Sequence, residues 1–207
     1  MKRILLPVLV IGVLLLGACG APTTAPVSEP AIPAHYTTYT NEAGLFSISY
    51  PPEWETALSL IPDLEAGVKD VITSIESDLP VGNARTIFLA GLPIEGGYAP
   101  NVNIGVESMP GIVWTHDKVV EAEITGIKQI IPDYHEFSRV KTTVGGREAT
   151  IVDCEGTYPQ LGKFHDLLMI ILVGKTAWCV TCTSSSGEFS KWANDFNAVV
   201  RSLRILK

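Results

Sequence analysis

Four runs of strand-forming residues between positions 138 and 184 leave this chain little choice of fold. They cover 138–144, 147–157, 165–173 and 176–184, and two of the joins are Gly145-Gly146 and Gly174-Lys175. Two-residue turns of that composition suit hairpins, where the twist of the flanking strands asks for positive φ. Strands joined so tightly pair antiparallel, because a parallel partner needs a crossover of about a dozen residues or more. Shorter strands are expected at Leu45–Tyr50, which stops at Pro51-Pro52, and at 86–90 and 102–107.

Three helices complete the pattern. Leu64, Val68, Val71, Ile72 and Ile75 recur at helical spacing between Pro62 and Pro80, predicting a helix over 64–79 with an acidic outer face. Val120, Ile124, Ile127 and Ile131 predict a second over 117–131, stopped by Pro132. The last begins after Ser185, which with Glu188 matches a capping box. Phe189, Trp192, Ala193, Phe196, Val199, Val200 and Leu203 give it one apolar face, and Arg201, Arg204 and Lys207 suit its carboxyl end. The fold class that follows is α+β, a central antiparallel sheet flanked by helices.

The amino terminus is a different kind of sequence. Lys2 and Arg3 precede an apolar run of 15 residues, Ile4 to Ala18, interrupted by Pro7 and Gly12. A membrane span needs about 20 apolar residues, whereas a charged head, a short apolar run and small residues before a cut describe a secretory signal peptide. The ending Leu16-Gly17-Ala18-Cys19 resembles the lipobox of bacterial lipoproteins. That resemblance implies a diacylglyceryl group on Cys19 and cleavage before it, so residues 1–18 are expected to be a lipoprotein signal peptide. Residues 19–35 then read as the lipidated cysteine and a proline-rich tether, with Pro22, Pro26, Pro30 and Pro33. Residues 36–207 are the folded domain. The expected location is the cell membrane, lipid-anchored and facing the extracytoplasmic side.

Charge removes other classes. The chain of 207 residues carries 15 basic and 22 acidic residues, a formal charge of −7, and loss of Lys2 and Arg3 takes it to −9. Nucleic-acid binders cluster Lys and Arg, so no nucleic acid is expected as partner. The membrane contact rests on the covalent lipid rather than on a basic patch.

Motifs with chemical potential are few. Cys179 and Cys182 form a C-x-x-C inside a strand pattern, where residues i and i+3 point to opposite faces, so no disulfide is expected between them. Setting Leu168 opposite Thr181 and Cys154 opposite Leu168 leaves Cys154 and Cys179 on one face but two strands apart, about 9–10 Å, beyond disulfide reach. His35, His116, His135 and His165 lie in tether, loops and a strand start without the i, i+4 spacing of a zinc site, and no metal or other cofactor is expected. Asp133–Glu136 and His165-Asp166 read as solvated loops, and the serines at 184–186 as capping residues. No catalytic residue is assigned. The loop Gly91–Asn101 carries Glu95, Tyr98 and Asn101, a candidate ligand-binding set between two strands.

A family resemblance rests on Phe46-Ser47-Ile48-Ser49-Tyr50-Pro51 followed by Trp54, on Pro100-Asn101-Val102-Asn103-Ile104, and on Gly146-Arg147-Glu148-Ala149 leading into a strand. With the closing strand, turn and helix ending Val200-Arg201-Ser202-Leu203, residues 36–207 are similar to the PsbP-like family, which shares its fold with the Mog proteins. The resemblance implies a PsbP-like sandwich and a non-enzymatic accessory domain that binds or helps assemble an extracytoplasmic protein partner. The alternatives are a small-ligand or metal-binding module using the 91–101 loop and the 64–79 helix and, with least support, an enzyme.

Overall fold

The computed structural model describes residues 31–41, 43, 45–56, 85–92, 99–111, 113–158 and 162–206. The expected helix over 64–79, the signal peptide and Cys19 lie outside the described residues. Among the described residues, ten strands and two helices follow in the order β1 (Thr37–Thr40), β2 (Phe46–Tyr50), β3 (Glu55–Thr56), β4 (Arg85–Gly91), β5 (Asn101–Ser108), α1 (His116–Ile130), β6 (His135–Val144), β7 (Arg147–Tyr158), β8 (Gly162–Val173), β9 (Thr176–Ser185), α2 (Phe189–Ser202) and β10 (Arg204–Ile205). Seven strands form an antiparallel sheet in the order β3-β4-β5-β9-β8-β7-β6, and β1-β2-β10 form a second, small sheet. The α+β architecture read from the turns is the one observed.

The hairpins close where the glycines stand. Gly145 and Gly146 have φ of 56° and 76°, the paired positive values of a type I′ turn, and Gly174 has φ of 60°. The β7–β8 hairpin closes between Tyr158 and Gly162, which sets Cys154 opposite Asp166 and Val152 opposite Leu168. The expected partner of Cys154 was Leu168, so that register is corrected by two residues. Pairing of Leu168 with Thr181 is as expected.

Both faces of the large sheet are covered. On one, Met169, Ile171, Trp178, Val180 and Cys182 meet Phe196, Val199 and Val200 of α2, and Phe46, Ile48 and Tyr50 of the small sheet. Ring contacts from Phe46 to Phe88 and Trp178 stack the small sheet over β4 and β9. On the other face, Val119, Val120 and Ile124 of α1 cover Val152, Cys154, Leu168 and Ile170. This is why Leu167 to Ile171 are all buried although they alternate in direction.

The chain ends interlock with the sandwich. The buried Ser49 amide donates to Ser202 Oγ at 2.8 Å, and Tyr36 donates to Asp195 Oδ1 at 2.6 Å. One expectation about α2 is corrected. Ser185 completes β9 rather than capping the helix, the cap position is Glu188, and no side chain closes it. The helix stops at Ser202, because Arg204 and Ile205 pair with Ser47 and Phe46 as β10. The Arg204 guanidinium still serves the helix end, donating to the Arg201 and Leu203 carbonyls at 2.8 and 2.9 Å.

Helix α1 lies along β7 and is fixed at both ends. Thr115 caps it, accepting from the Lys118 amide at 3.4 Å, and the buried His116 Nε2 sits 2.8 Å from Thr150 Oγ1. At the far end Ile131 rests on Gly156, where a Cβ would stand 2.3 Å from Ile131 Cγ2. Fifteen helical residues rise about 22 Å, close to the roughly 20 Å that six strand residues span from Thr150 to Gly156. Gly156→Ala is therefore expected to lift the carboxyl end of α1 and to cost about 1–3 kcal/mol in a urea melt, whereas Gly126→Ala, inside the same helix with open space at its Cβ, is expected to stabilise by up to about 1 kcal/mol.

Candidate functional site

At one end of the sheet, on the α1 side, a row of polar residues crosses five strands. Glu136 on β6 pairs with Cys154 on β7, Cys154 with Asp166 on β8, Asp166 with Thr183 on β9, and Thr183 with Asn101 on β5. Cross-strand partners share a face, so the topology assembles side chains that lie as far apart in sequence as Asn101 and Thr183. The row adjoins the neck of the 91–101 connection, where the Leu92 amide donates to the Pro100 carbonyl at 3.0 Å. Gly91 permits that closeness, since a Cβ there would stand 2.7 Å from both Asn101 Cβ and the Pro100 carbonyl oxygen.

Asp166 dominates the electrostatics. Its Oδ1 is shut off from solvent with no hydrogen-bond partner, and burial lifts its carboxyl from 3.8 to about 7, with only a hydrogen bond from Thr183 favouring the charged form. Cys154 is likewise pushed up to about 12 by burial and by the nearby Asp166 charge, the Tyr134 hydroxyl acting the other way. Such a thiol stays protonated near neutral pH and is a poor nucleophile. At the rim, Arg139 clamps Glu136 with two bonds of 2.8 Å, holding that carboxyl below its usual range, and Lys128 stands 5.4 Å over the Tyr134 ring.

Of the residues expected to bind ligand, Asn101 lies in this row, with its amide donating to the Ala99 carbonyl at 2.9 Å. Glu95 and Tyr98 lie outside the described residues. Two readings change. His165-Asp166 and His135-Glu136 are within strands β8 and β6, not in solvated loops. A charged residue directly before Leu167–Ile171 was the visible signal for Asp166, since a strand that is apolar in both directions has no solvent face to give it. His116 is likewise not a loop residue but the buried first residue of α1, and burial favours its neutral form.

The opposite face carries a second constellation. His165 Nε2 is 2.5 Å from Asp153 Oδ1, and its ring lies flat on Phe189 at 3.5 Å between centroids and stacks on Phe137 at 5.1 Å. A bulge between Glu136 and Ser138 turns Phe137 into the space between the rings of His135 and His165. Across the ladder from His165 stands Ser184, which completes the residue types of a hydrolytic triad. Ser184 has 0% exposure and its hydroxyl donates to the Ser185 carbonyl at 3.2 Å, so no substrate reaches it. Ser186 donates instead to Glu155 at 2.8 Å. No three His, Cys, Asp or Glu side chains among the described residues are arranged to hold a metal ion. Cys154, Cys179 and Cys182 are free thiols, and Cys179 and Cys182 face the α1 and α2 sides respectively.

No family model matches the chain, and no curated protein matches it by sequence. Solved structures do match in fold. Cyanobacterial PsbP (CyanoP) from Synechocystis aligns at a TM-score of 0.54 and 12% identity, covering 92% of this chain and 98% of its own. LpqN of Mycobacterium tuberculosis, involved in cell envelope biogenesis, aligns at 0.55 and 11% identity over 84% of this chain and 92% of its own. The Ran-binding protein Mog1p of Saccharomyces cerevisiae aligns more loosely, at 0.47 and 11% identity over 83% of this chain. The domain thus has the PsbP-like fold.

The raised carboxyl of Asp166 has a thermodynamic consequence. Between pH 3.8 and about 7 the folded state holds a proton that the unfolded chain has released, so stability falls as pH rises through that window. Asp166→Asn is expected to remove this slope and to be more stable than the parent at pH 8 by about 1–3 kcal/mol. Chemical denaturation at several pH values measures it, and an unchanged slope in the variant would show that Asp166 ionises freely.

Proposed function

We propose that the protein is a lipid-anchored extracytoplasmic accessory protein whose domain binds or helps assemble a protein partner. The observation that carries the reading is the order of segments. A lipobox-like ending at Cys19 and a proline-rich stretch precede a PsbP-like sandwich, and the sandwich fold is similar to that of LpqN, a protein involved in cell envelope biogenesis. The 15 residues from 20 to 34 can reach roughly 45 Å at about 3.1 Å each, enough to hold the domain clear of a bilayer. No described helix is long and apolar enough to cross a membrane. The inaccessible Ser184 and the elevated thiols supply no nucleophile, so the reading assigns no catalytic role.

Cys19→Ala is expected to abolish incorporation of labelled fatty acid and leave a precursor longer by the 18-residue leader. Continued labelling of that variant would refute the anchor. Crosslinking in intact cells, followed by capture of the anchored protein, is expected to return a defined extracytoplasmic partner. The binding role is wrong if nothing is captured and a deletion strain keeps its envelope complexes intact.

A further inference from the structure

The two edges of the large sheet are unlike. On one side it ends in β3, two residues paired with β4. On the other it ends in β6, ten residues long, and among the described residues nothing pairs with the outer side of that strand. Val144 and Arg147 close a two-residue turn as a hydrogen-bonded pair, so along the regular ladder Thr142 and Val140 also direct their backbone groups at β7. The amides and carbonyls of Thr143, Lys141 and Arg139 therefore point outward, away from the sheet.

Such an edge is usually blunted by proline, by exposed charge or by a bulge. β6 contains no proline, and its bulge lies at the far end, between Glu136 and Ser138. Its cations are drawn back onto α1, Lys141 to Asp117 at 2.5 Å and Arg139 to Glu121. Two large apolar side chains remain exposed on it, Phe137 at 51% and Val140 at 52%.

We propose that β6 is a homodimer interface, in which the β6 strands of two copies pair antiparallel about a two-fold axis at Val140 and join the two seven-stranded sheets. Reversed end to end, the strand complements itself. On the face that Val140 shares with Ile151 and α2, Val140 meets Val140 of the second copy, flanked on each side by Ser138 opposite Thr142. Aliphatic contacts and Ser–Thr pairs of this kind favour antiparallel pairing. The central valines form a non-hydrogen-bonded pair, where side chains stand closest, and the outward groups of Arg139 and Lys141 exchange main-chain bonds on either side of it.

On the α1 face Arg139 comes opposite Lys141 of the second copy. Each cation arrives with its own carboxylates, Glu136 and Glu121 for Arg139 and Asp117 for Lys141, so the charges at the joint nearly balance. That balance selects this edge in a chain of formal charge −7, which repels its own copy over most other approaches. Growth stops at two copies, because the pairing is isologous and consumes the one long edge each copy has among the described residues.

Disulfide trapping of the full chain in intact cells tests the interface. Val140→Cys sets two thiols in the central pair, where Cβ atoms approach to about 4.5 Å, at the margin of disulfide reach. Mild oxidation is expected to shift most of this variant to twice the monomer mass on a non-reducing gel. The parent chain should stay monomeric, as should Leu206→Cys, whose parent residue is equally exposed at 52% but follows β10 in the small sheet. Adding Lys141→Pro removes an outward amide while sparing the β7 ladder, and should abolish the dimer. Lys141→Ala loses the same ion pair but keeps the amide, and should retain it. The interface is overturned if Val140→Cys crosslinks no more than Leu206→Cys, or if Lys141→Pro, with the melting temperature of Lys141→Ala, still crosslinks. A mixed disulfide between Val140→Cys and a different protein would assign the edge to a foreign strand and overturn it equally.

Discussion

The whole structure depends on a large antiparallel sheet buried on both faces. Strand β8 shows the constraint most plainly: Leu167 to Ile171 point alternately toward α2 and α1 and are all buried. Removing that apolar area from water is the main favourable contribution to folding, roughly 25 cal/mol per Å². It also means that either helix can leave only by exposing a strip of β7, β8 and β9. Hairpins close the register, and the two helices then have one place each to go. The small sheet acts as a third lid, since Phe46, Phe88, Trp178 and Phe196 pack as one aromatic group between β2, the large sheet and α2.

The same burial makes the polar residues of the sheet consequential. An aspartate on a one-sided sheet would face water and ionise freely. In β8 it has no such face, and Asp166 becomes a carboxyl that resists charging. Cys154, Cys179 and Cys182 are silenced by the same environment, each held above the ordinary thiol value by burial.

Much of the fold was legible residue by residue. Strands β2, β4, β5, β6, β7, β8 and β9 and both described helices follow from periodicity and breakers, and the glycine turns stand where expected. The departures share a cause. Ser185 and Glu188 satisfy a capping box on paper, but Ser185 finds a cross-strand partner in Phe164, and ladder pairing outweighs a local cap. Arg204 continues a helical pattern, yet it pairs with Ser47, more than 150 positions earlier, and that long-range partner ends the helix. Of the candidate site, Asn101 was marked from its loop. Its neighbours in the row were not, because adjacency across strands depends on register, and a register two residues off replaces Asp166 by Leu168 opposite Cys154.

What sequence alone determined is whatever acts locally: hairpin turns at glycine pairs and the apolar stripes of α1 and α2. Each depends on residues within a few positions of one another, so short-range sterics and periodicity decide it. Tertiary structure alone decided which face each polar side chain shares and with whom. It placed Asp166 between Cys154 and Thr183, and His165 flat on Phe189. The reason is that charge and reactivity in this protein are set by desolvation and by neighbours from distant strands, and neither exists until the sheet is closed on both sides.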